Sequence, residues 1–196
     1  MLSKLKDLYG RIFINQAKTP LPIPEARRKH LSIAKGITPL EPEDVGWVMS
    51  EIINESGHGH FDKQFLQPMT HDELRAKLFS TIDKGYFDSD GKRSHGAIYG
   101  KYFKGKIVGF MWIKQANQLE YEIVMMGVDR EYRRRGIATE FMQMMLEKVI
   151  PATGQSRAQA SLYMTSQHMM KLLRTAGFKK AKKQPEKQRV LLERFV

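Results

Sequence analysis

After the first 35 residues, apolar residues recur every three to four positions in four stretches, and each stretch predicts an amphipathic helix. The predicted helices span Pro42 to about Asn54, Thr70 to about Gly85, Gly136 to Ile150, and Ser166 to Ala176. Thr70 and Glu73 stand at the spacing of a capping box, so we expect the hydroxyl of Thr70 to cap the second helix. Gly177 follows the last stripe and is expected to close that helix.

Apolar runs with strand character fill the stretches between these helices. The predicted strands are Ile37–Leu40, His95–Phe103, Lys106–Lys114, Leu119–Val128, Ala158–Met164, Phe178–Lys182 and Arg189–Val196. The short connection Lys104-Gly105 makes a hairpin, and the three neighbouring strands around it are expected to be antiparallel. Asp88-Ser89-Asp90-Gly91 predicts a turn and not a calcium loop, because Tyr99 stands where such a loop needs a glutamate. This order of elements predicts an α/β (α+β) domain.

The first 35 residues form a basic arm in front of the predicted domain, which spans residues 36–196. Leu2 to Asn15 has the apolar spacing of a short basic helix, and alternating prolines follow from Thr19 to Pro24. We expect this helix to pack on its own domain. The alternatives are a contact with a membrane surface and self-association into a homodimer.

The composition excludes several kinds of site. The 196 residues include no cysteine, which excludes disulfides, thiolate nucleophiles and cysteine-ligated zinc, and which suits the cytoplasm. No run approaches the roughly 20 apolar residues of a membrane span. The net charge of +12 is concentrated at the two ends of the chain, where we expect it to form a solubilising surface. The alternative is attraction of an anion, either a macromolecule or a phosphate-rich cofactor. Nucleic acid is disfavoured, because neither end interleaves aromatic with basic residues.

The segment Tyr132-Arg133-Arg134-Arg135-Gly136-Ile137-Ala138-Thr139 carries the strongest chemical signal. It joins a predicted strand to a predicted helix, whose first amides are unpaired and whose N-terminus is partially positive. Gly136 and Ala138 let an anion approach the backbone. Basic residues disfavour a helix N-terminus, so three arginines there are explained by an anion between them and the amides. The pattern predicts a phosphate-type site.

Arg133-x-x-Gly136-x-Ala138 resembles the Q/R-x-x-G-x-G/A turn of the GNAT superfamily of N-acetyltransferases, which cradles the pyrophosphate of acetyl-CoA. The segment ending in Ala176-Gly177-Phe178 resembles the second cofactor motif of that family. The resemblance spans about residues 37–196. It implies a mixed, mostly antiparallel sheet with about four flanking helices, splayed between the Leu119–Val128 and Ala158–Met164 strands to admit the thioester.

The resemblance also implies which residues bind acetyl-CoA or a related acyl-CoA. The backbone of Met126, Gly127 and Val128 would pair with the pantetheine arm. The segment that follows would hold the pyrophosphate; its residues are Arg133, Arg134, Arg135, Gly136, Ile137, Ala138 and Thr139. The second motif would contribute Ser166.

Transfer to an amine needs a base, because only about one lysine-like amine in a thousand is neutral at pH 7. By the resemblance, Glu122 is the catalytic base, since histone-acetylating members carry a glutamate at the corresponding strand position. Glu120 shares its strand face and is the alternative. The family's tyrosine acid is replaced here by Leu173, and its frequent asparagine by Ser166, which is still expected to cap its helix. Tyr163, His168 and solvent are the alternative proton donors.

His58-Gly59-His60 with His71 nearby is too weak a pattern for a metal site, so we expect no metal. Phe61, Phe65 and these histidines are interpreted as substrate-lining or packed loop residues. The leading hypothesis is an acetyl-CoA-dependent amine N-acetyltransferase, whose partners are the acyl-CoA and an amine acceptor. The alternatives are a non-catalytic acyl-CoA-binding module and a protein that docks an anionic macromolecule through its basic ends.

Overall fold

An eight-stranded sheet runs through the described part of the chain, which comprises residues 36–89, 91–185 and 188–196 of the computed structural model. The predicted basic arm, residues 1–35, lies outside the described residues. The strands are β1 Ile37–Pro39, β2 Tyr86–Ser89, β3 Lys92–Phe103, β4 Lys106–Asn117, β5 Glu120–Val128, β6 Arg157–Tyr163, β7 Lys179–Lys180 and β8 Arg189–Phe195. The helices are α1 Val45–Gly57, α2 His71–Lys84, α3 Ile137–Met144, α4 Ile150–Thr153 and α5 Gln167–Thr175.

The strands follow the order β1-β3-β4-β5-β6-β8-β7, and β2 pairs with β3 outside that path. The β5–β6 pair is parallel, and the other described pairs are antiparallel. Helices α3 and α4 belong to one continuous helical segment, so four helical segments flank the sheet within the described residues. The predicted α/β fold with a mixed, mostly antiparallel sheet is confirmed. No helix in the described ranges is long and apolar enough to cross a bilayer.

Two buried clusters pack on opposite faces of the sheet. Strand β4 supplies both, because consecutive strand residues point to opposite faces. Phe110 and Trp112 pack with α1 and α2, whereas Met111 and Ile113 pack with α3, α4 and α5. Helices α1 and α2 therefore cover one face of the sheet, which we call the α1 face.

The helix predicted from Pro42 begins with a 3-10 turn, Pro42–Asp44, and continues as α1 to Gly57, beyond the predicted end at Asn54. Proline lacks an amide hydrogen and suits such a first turn. The backbone amide of Glu41 donates to Oδ2 of Asp44 at 3.0 Å, so a side chain satisfies an amide at the start of the turn.

The predicted capping box at Thr70 is wrong. The segment Pro68–Thr70 forms a 3-10 turn, and the hydroxyl of Thr70 turns back to donate to the carbonyls of Gln64 and Gln67, at 2.9 and 2.8 Å. Its hydroxyl makes no bond to the first amides of α2. The end of α2 is as predicted, since Gly85 adopts φ +74° and closes the helix.

The hairpin of β2 and β3 was not predicted. Strand β3 begins at Lys92, before the predicted start at His95, and pairs with β2. Charge and aromatic contacts hold this pair: the guanidinium of Arg93 lies 3.2 Å from Asp88 and 4.0 Å from the ring centroid of Tyr86. Phe87 is the one buried residue of the four in β2 and packs on Trp112, with ring centroids 5.1 Å apart. A strand this short is not detected by apolar periodicity.

The predicted helix from Gly136 to Ile150 continues past Pro151 and ends at Thr153. A π-helical turn, Met145–Val149, precedes the proline. A proline ring inside a regular α-helix clashes with the carbonyl four residues earlier, and the wider turn accommodates it. Gly154, at φ +74°, ends the helix instead of Pro151.

Candidate active site

The parallel seam between β5 and β6 is paired along only half of its length. Pairs run from Glu120 with Arg157 to Ile123 with Ala160, and no further pair forms although β5 extends to Val128 and β6 to Tyr163. The predicted splay of the sheet is therefore present. Beyond the last pair, backbone groups of β5 face a gap, where an extended ligand can pair with them as a strand would.

A β-bulge in β5 marks the point where the seam opens. Ile113 pairs with Ile123 and Trp112 pairs with Met125, so Val124 is an extra residue relative to β4. Such a bulge bends its strand and increases the local twist. The bend turns the second half of β5 away from β6.

The turn that follows β5 leads directly into the N-terminus of α3. Gly136 adopts φ +84° and directly precedes Ile137, the first residue of α3. A Cβ built on Gly136 would meet no heavy atom within 4 Å. Because the first amides of a helix lack intrahelical partners, the amides of Ile137 to Thr139 are available at this open position. Arg134 also adopts a positive φ, +61°, a conformation that costs a non-glycine residue free energy. An anion fits this cradle.

Arg133, predicted to bind the pyrophosphate, is directed toward α1. Its Nε donates to the carbonyl of Val128 at 2.9 Å, and its Nη2 lies 2.6 Å from Glu55 and 3.6 Å from Glu51. These contacts connect the turn to the helix on the α1 face. The guanidinium of Arg135 lies 5.0 Å from the ring centroid of Tyr132, and Arg134 and Arg135 are exposed.

Glu51 is a site residue that the sequence analysis missed. Its side chain is 12% exposed, and its Oε1 is buried without a hydrogen-bond partner in the described structure. Burial and then the charge of Glu55 raise the pKa of Glu51, although Arg133 opposes them. Glu51 packs over the splayed half of β5, because a Cβ on Gly127 would lie 3.2 Å from its Cγ and 2.6 Å from the ring of Phe110. Glycine at this position permits the approach.

A signal for Glu51 was present in the sequence. Val48 and Ile52 belong to the buried stripe of α1, and Glu51 and Glu55 stand beside them at helical spacing. Acidic residues that continue an apolar stripe indicate a buried carboxylate with a cationic partner. The pattern does not identify that partner.

Glu122, the predicted base, lies on the α1 face of the closed half of the seam. Its neighbours Tyr121 and Ile123 pack into the cluster on the other face. Oε2 of Glu122 is 3.1 Å from Nζ of Lys114, and the two side chains are 24% and 29% exposed. The carboxylate is thus accessible and held by one ammonium group.

Glu120, the alternative base, is buried and fully engaged. The side chain is 7% exposed; Oε1 accepts from Nε of Arg157 at 2.7 Å, and Oε2 accepts from the amide of Asn117 at 2.8 Å. Both carboxylate oxygens have a partner inside the sheet, so this geometry favours Glu122 over Glu120 as the reactive group.

The remaining predicted residues lie around the gap. Met126–Val128 is the last part of β5, and Ser166 begins the turn into α5, where its backbone amide donates to the carbonyl of Tyr163 at 2.9 Å. The prediction that the hydroxyl of Ser166 caps α5 is wrong, because it makes no bond to the first amides of the helix. Leu173 is fully buried in the core.

The connection from α1 to α2 borders the same face. His58 contacts the carbonyl of Asn54 at 2.8 Å and His71 that of Phe65 at 2.9 Å, whereas His60 is half-buried. Phe61 and Phe65 pack partly buried against the cluster under α1 and α2. Across the described ranges, no group of three or more histidines or carboxylates is arranged to hold a metal ion.

Comparisons with known proteins agree with this architecture. The family model described as the acetyltransferase (GNAT) family matches residues 62–178. No curated protein matches the chain. Among solved structures, the PaiA N-acetyltransferase from Thermoplasma acidophilum in complex with coenzyme A is similar with a TM-score of 0.62 and 14% identity, over 82% of this chain and 98% of that one.

Two further structures share the fold. The N-acetyltransferase from Staphylococcus aureus Mu50 has a TM-score of 0.62 and 19% identity, over 81% of this chain and 96% of its own. The ribosomal-protein-S18-alanine N-acetyltransferase from Escherichia coli has a TM-score of 0.57 and 13% identity, over 81% of this chain and 92% of its own. Because the family model covers more than half of its length, this chain belongs to the acetyltransferase (GNAT) family.

Proposed function

We propose that the protein transfers an acetyl group from acetyl-CoA to a primary amine. One observation carries the proposal: the unpaired half of β5 leads directly into the open, glycine-preceded N-terminus of α3. An unpaired strand edge suits an extended amide-containing arm, and a helix N-terminus suits a pyrophosphate. The two features adjoin in the order in which acetyl-CoA presents those groups.

In this proposal, Met126–Val128 pairs with the pantetheine arm, and the amides from Arg134 to Thr139 hold the pyrophosphate. Arg134 and Arg135 add exposed positive charge, whereas Arg133 fixes the turn against α1. Ser166 lies at the opposite border of the gap. The T. acidophilum neighbour, which binds coenzyme A, supports this choice of co-substrate. Acetyl-CoA supplies an activated acyl group as a thioester.

The acceptor would approach from the α1 face, where Glu122 lies. A neutral amine attacks the thioester carbonyl, and Glu122 accepts a proton from the nitrogen. A backbone amide of Met126–Val128 donates to the developing oxyanion. Lys114 holds the carboxylate of Glu122 on this face at 3.1 Å. The N-acetyltransferase names of the neighbours support an amine as the acceptor.

The test is CoA release from acetyl-CoA in the presence of a panel of amines, with wild-type protein, Glu122→Gln and the control Glu147→Gln. Glu147 is exposed in the π-helical turn Met145–Val149, whose buried residues pack on the face of the sheet opposite Glu122. Removal of a general base lowers kcat by about 100-fold or more, so we expect that loss for Glu122→Gln with an unchanged Kd for acetyl-CoA. Glu147→Gln should behave as wild type.

Two outcomes would contradict parts of the proposal. Tight acetyl-CoA binding without CoA release in the presence of any amine would indicate a binding module, the alternative that the substitution of the family tyrosine by Leu173 favours. Full kcat of Glu122→Gln from about pH 6 to 9 would exclude Glu122 as the base while leaving the transfer reaction intact.

A further inference from the structure

A surface formed by α5, strand β7 and the residues that follow β7 carries positive charge without nearby negative charge. From Lys148 to Pro185 the sequence contains eight lysines and arginines and no acidic residue. Six of these cations are exposed on this surface, which we call the basic corner: Lys171, Arg174, Lys179, Lys180, Lys182 and Lys183. Within the described residues, none of the six forms an ion pair with a carboxylate. Glu193, which lies opposite Lys179 in the register of β7 and β8, pairs with Arg157 instead, at 3.4 Å.

Ordinary structural roles explain part of this charge. A basic residue in the last turn of a helix stabilises the helix dipole, which accounts for Arg174. Lysines on an edge strand prevent pairing with another chain, which accounts for Lys179 and Lys180. Neither role applies to Lys182 and Lys183, which follow β7 outside any strand or helix. The remaining charge is explained by an anion that binds across the basic corner.

Hydrogen bonds to β8 hold the basic corner in place. Nη1 of Arg194 in β8 donates to the carbonyl of Ala176 at the end of α5. The amide of Ala181 donates to the carbonyl of Leu191 at 3.0 Å, and the side chain of Gln184 accepts from the amide of Leu191 at 3.1 Å. The backbone that carries the lysines is therefore bonded to β8 before a ligand binds, which lowers the entropic cost of binding.

The basic corner lies away from the proposed acetyl-CoA and acceptor sites. Helix α5 packs on the face of the sheet opposite α1, and Lys180 pairs with Leu192, which is buried on that opposite face. Along α5, Arg174 lies about 12 Å from Ser166 at the border of the gap. Residues 37–74, which form β1, α1 and the connection to α2, contain eight acidic residues and one lysine. This charge asymmetry directs a polyanion to the basic corner and away from the α1 face.

The chemistry of the basic corner fits the backbone of a nucleic-acid duplex. A DNA duplex carries one negative charge per about 1.7 Å of helix axis, and lysine binds phosphate as a point charge. Between residues 165 and 185, the one aromatic residue among Phe, Tyr and Trp is Phe178, which is buried. The corner therefore offers no ring on which a base of a single strand could stack, whereas a duplex backbone needs none. In the same described range no large apolar side chain is exposed, so a membrane has no anchor to take up.

We propose that the basic corner binds the phosphate backbone of a nucleic-acid duplex without reading its sequence. Each lysine or arginine that contacts a phosphate releases condensed counterions, so the affinity falls steeply with salt. Six such contacts predict that log Kd rises with log salt with a slope of about five, a loss of about 1,000-fold in affinity between 50 and 200 mM salt. This binding is independent of the proposed acetyl transfer and is measured without acetyl-CoA.

The test is fluorescence anisotropy of a labelled DNA duplex of about 20 base pairs with the full chain, across this range of salt. The corner variant combines four substitutions: Lys179→Gln, Lys180→Gln, Lys182→Gln and Lys183→Gln. The control removes the same net charge from four exposed lysines outside the corner: Lys84→Gln, Lys92→Gln, Lys104→Gln and Lys106→Gln. We expect the corner variant to lower the salt slope by between about three and four, and the control to lower it by less than about one.

Four results would overturn the proposal. Absence of duplex binding by the wild type at about 50 mM salt would exclude the interaction. Equal decreases in the two variants would mean that net charge alone attracts the duplex. Displacement of the duplex by equimolar CoA would place these cations in the coenzyme site. Tighter binding to vesicles that contain phosphatidylserine than to the duplex, lost in the corner variant, would indicate a membrane surface.

A smaller variant decides the matter if the corner variant does not fold by circular dichroism. Lys182→Gln combined with Lys183→Gln changes residues outside the strands and should lower the salt slope by about two. An unchanged slope in this folded variant would contradict the role of the basic corner.

Discussion

The two halves of the β5–β6 seam are built differently. The closed half is stabilised within the sheet, where the side chain of Glu120 is 7% exposed and bonded to Arg157 and Asn117. In the open half, side chains on the borders of the gap bond to elements outside the sheet. Tyr163 reaches Asp62, and Glu51 of α1 packs over Gly127. Only the second half exposes backbone to a ligand.

This difference shows how one sheet combines stability with a binding cleft. Pairing and a buried ion pair hold β5 and β6 together at one end, and the bulge at Val124 ends that pairing. Beyond it, side chains of α1 and of the loop that follows α1 contact the borders of the gap, and the backbone of β5 is no longer paired with β6. With the exception of the proposed base Glu122, residues of the closed half should therefore respond to substitution mainly in stability, and those of the open half mainly in ligand affinity.

The largest expected effect on stability is in the closed half. Glu120→Ala leaves Arg157, which is 35% exposed, without its buried partner, and we expect a loss of about 2–3 kcal/mol in the free energy of unfolding. Urea denaturation measures it. The matched variant is Glu122→Ala on the same strand face, whose exposed pair with Lys114 should contribute about 1 kcal/mol or less. Equal losses in the two variants would contradict the comparison.

A smaller effect on stability is expected at the turn into α3, at the end of the open half. Gly136→Ala places a methyl group in the open space at the N-terminus of α3 and strains a position at φ +84°. Gly154→Ala is the control, because Gly154 adopts φ +74° with equally open surroundings at the end of α4. Each variant should lose about 1 kcal/mol of stability.

Affinity for CoA separates these two glycine variants. By calorimetry, Gly136→Ala should raise the Kd about tenfold or more, whereas Gly154→Ala should leave it unchanged. An unchanged Kd in Gly136→Ala would mean that the amides of this turn do not hold the pyrophosphate.

The sequence predicts the turn and helix at the end of the open half better than the side-chain contacts around them, for a physical reason. A helix N-terminus with glycine and a following small residue is a local arrangement, so spacing alone predicts the turn at Gly136 and the helix after it. The fold class follows from the order of periodic stretches in the same way. Both features depend on neighbours in sequence.

Side-chain partners distant in sequence could not be predicted. The sequence analysis assigned Arg133 to the pyrophosphate, but its guanidinium contacts Glu55 and Glu51 in α1. The contact of Tyr163 with Asp62 likewise joins residues far apart in the chain. Such contacts depend on how α1 packs over the sheet, which periodicity does not reveal. The capping prediction at Thr70 failed because its hydroxyl donates instead to the carbonyls of Gln64 and Gln67.

The smallest expected effect is on the pH dependence of stability. It comes from the buried carboxylate of Glu51, which lies over the open half of the seam. The pKa of Glu51 is raised above its ordinary value of 4.5, first by burial and then by Glu55. A carboxyl whose pKa is higher in the folded than in the unfolded state contributes its full stability below the unfolded value. That contribution is lost as the pH rises through the folded pKa. Glu51→Gln removes this titration.

The difference in Tm between Glu51→Gln and wild type should therefore become more positive from about pH 4 to neutral pH. Glu147→Gln, on an exposed helix surface, provides the baseline, and its difference should stay nearly constant. A Glu51→Gln difference that is flat, or that turns negative at neutral pH, would mean that the ion pair with Arg133 outweighs burial. In that case Glu51 would stabilise the junction between α1 and the turn as a charged residue, and the open half would also be held by an ion pair.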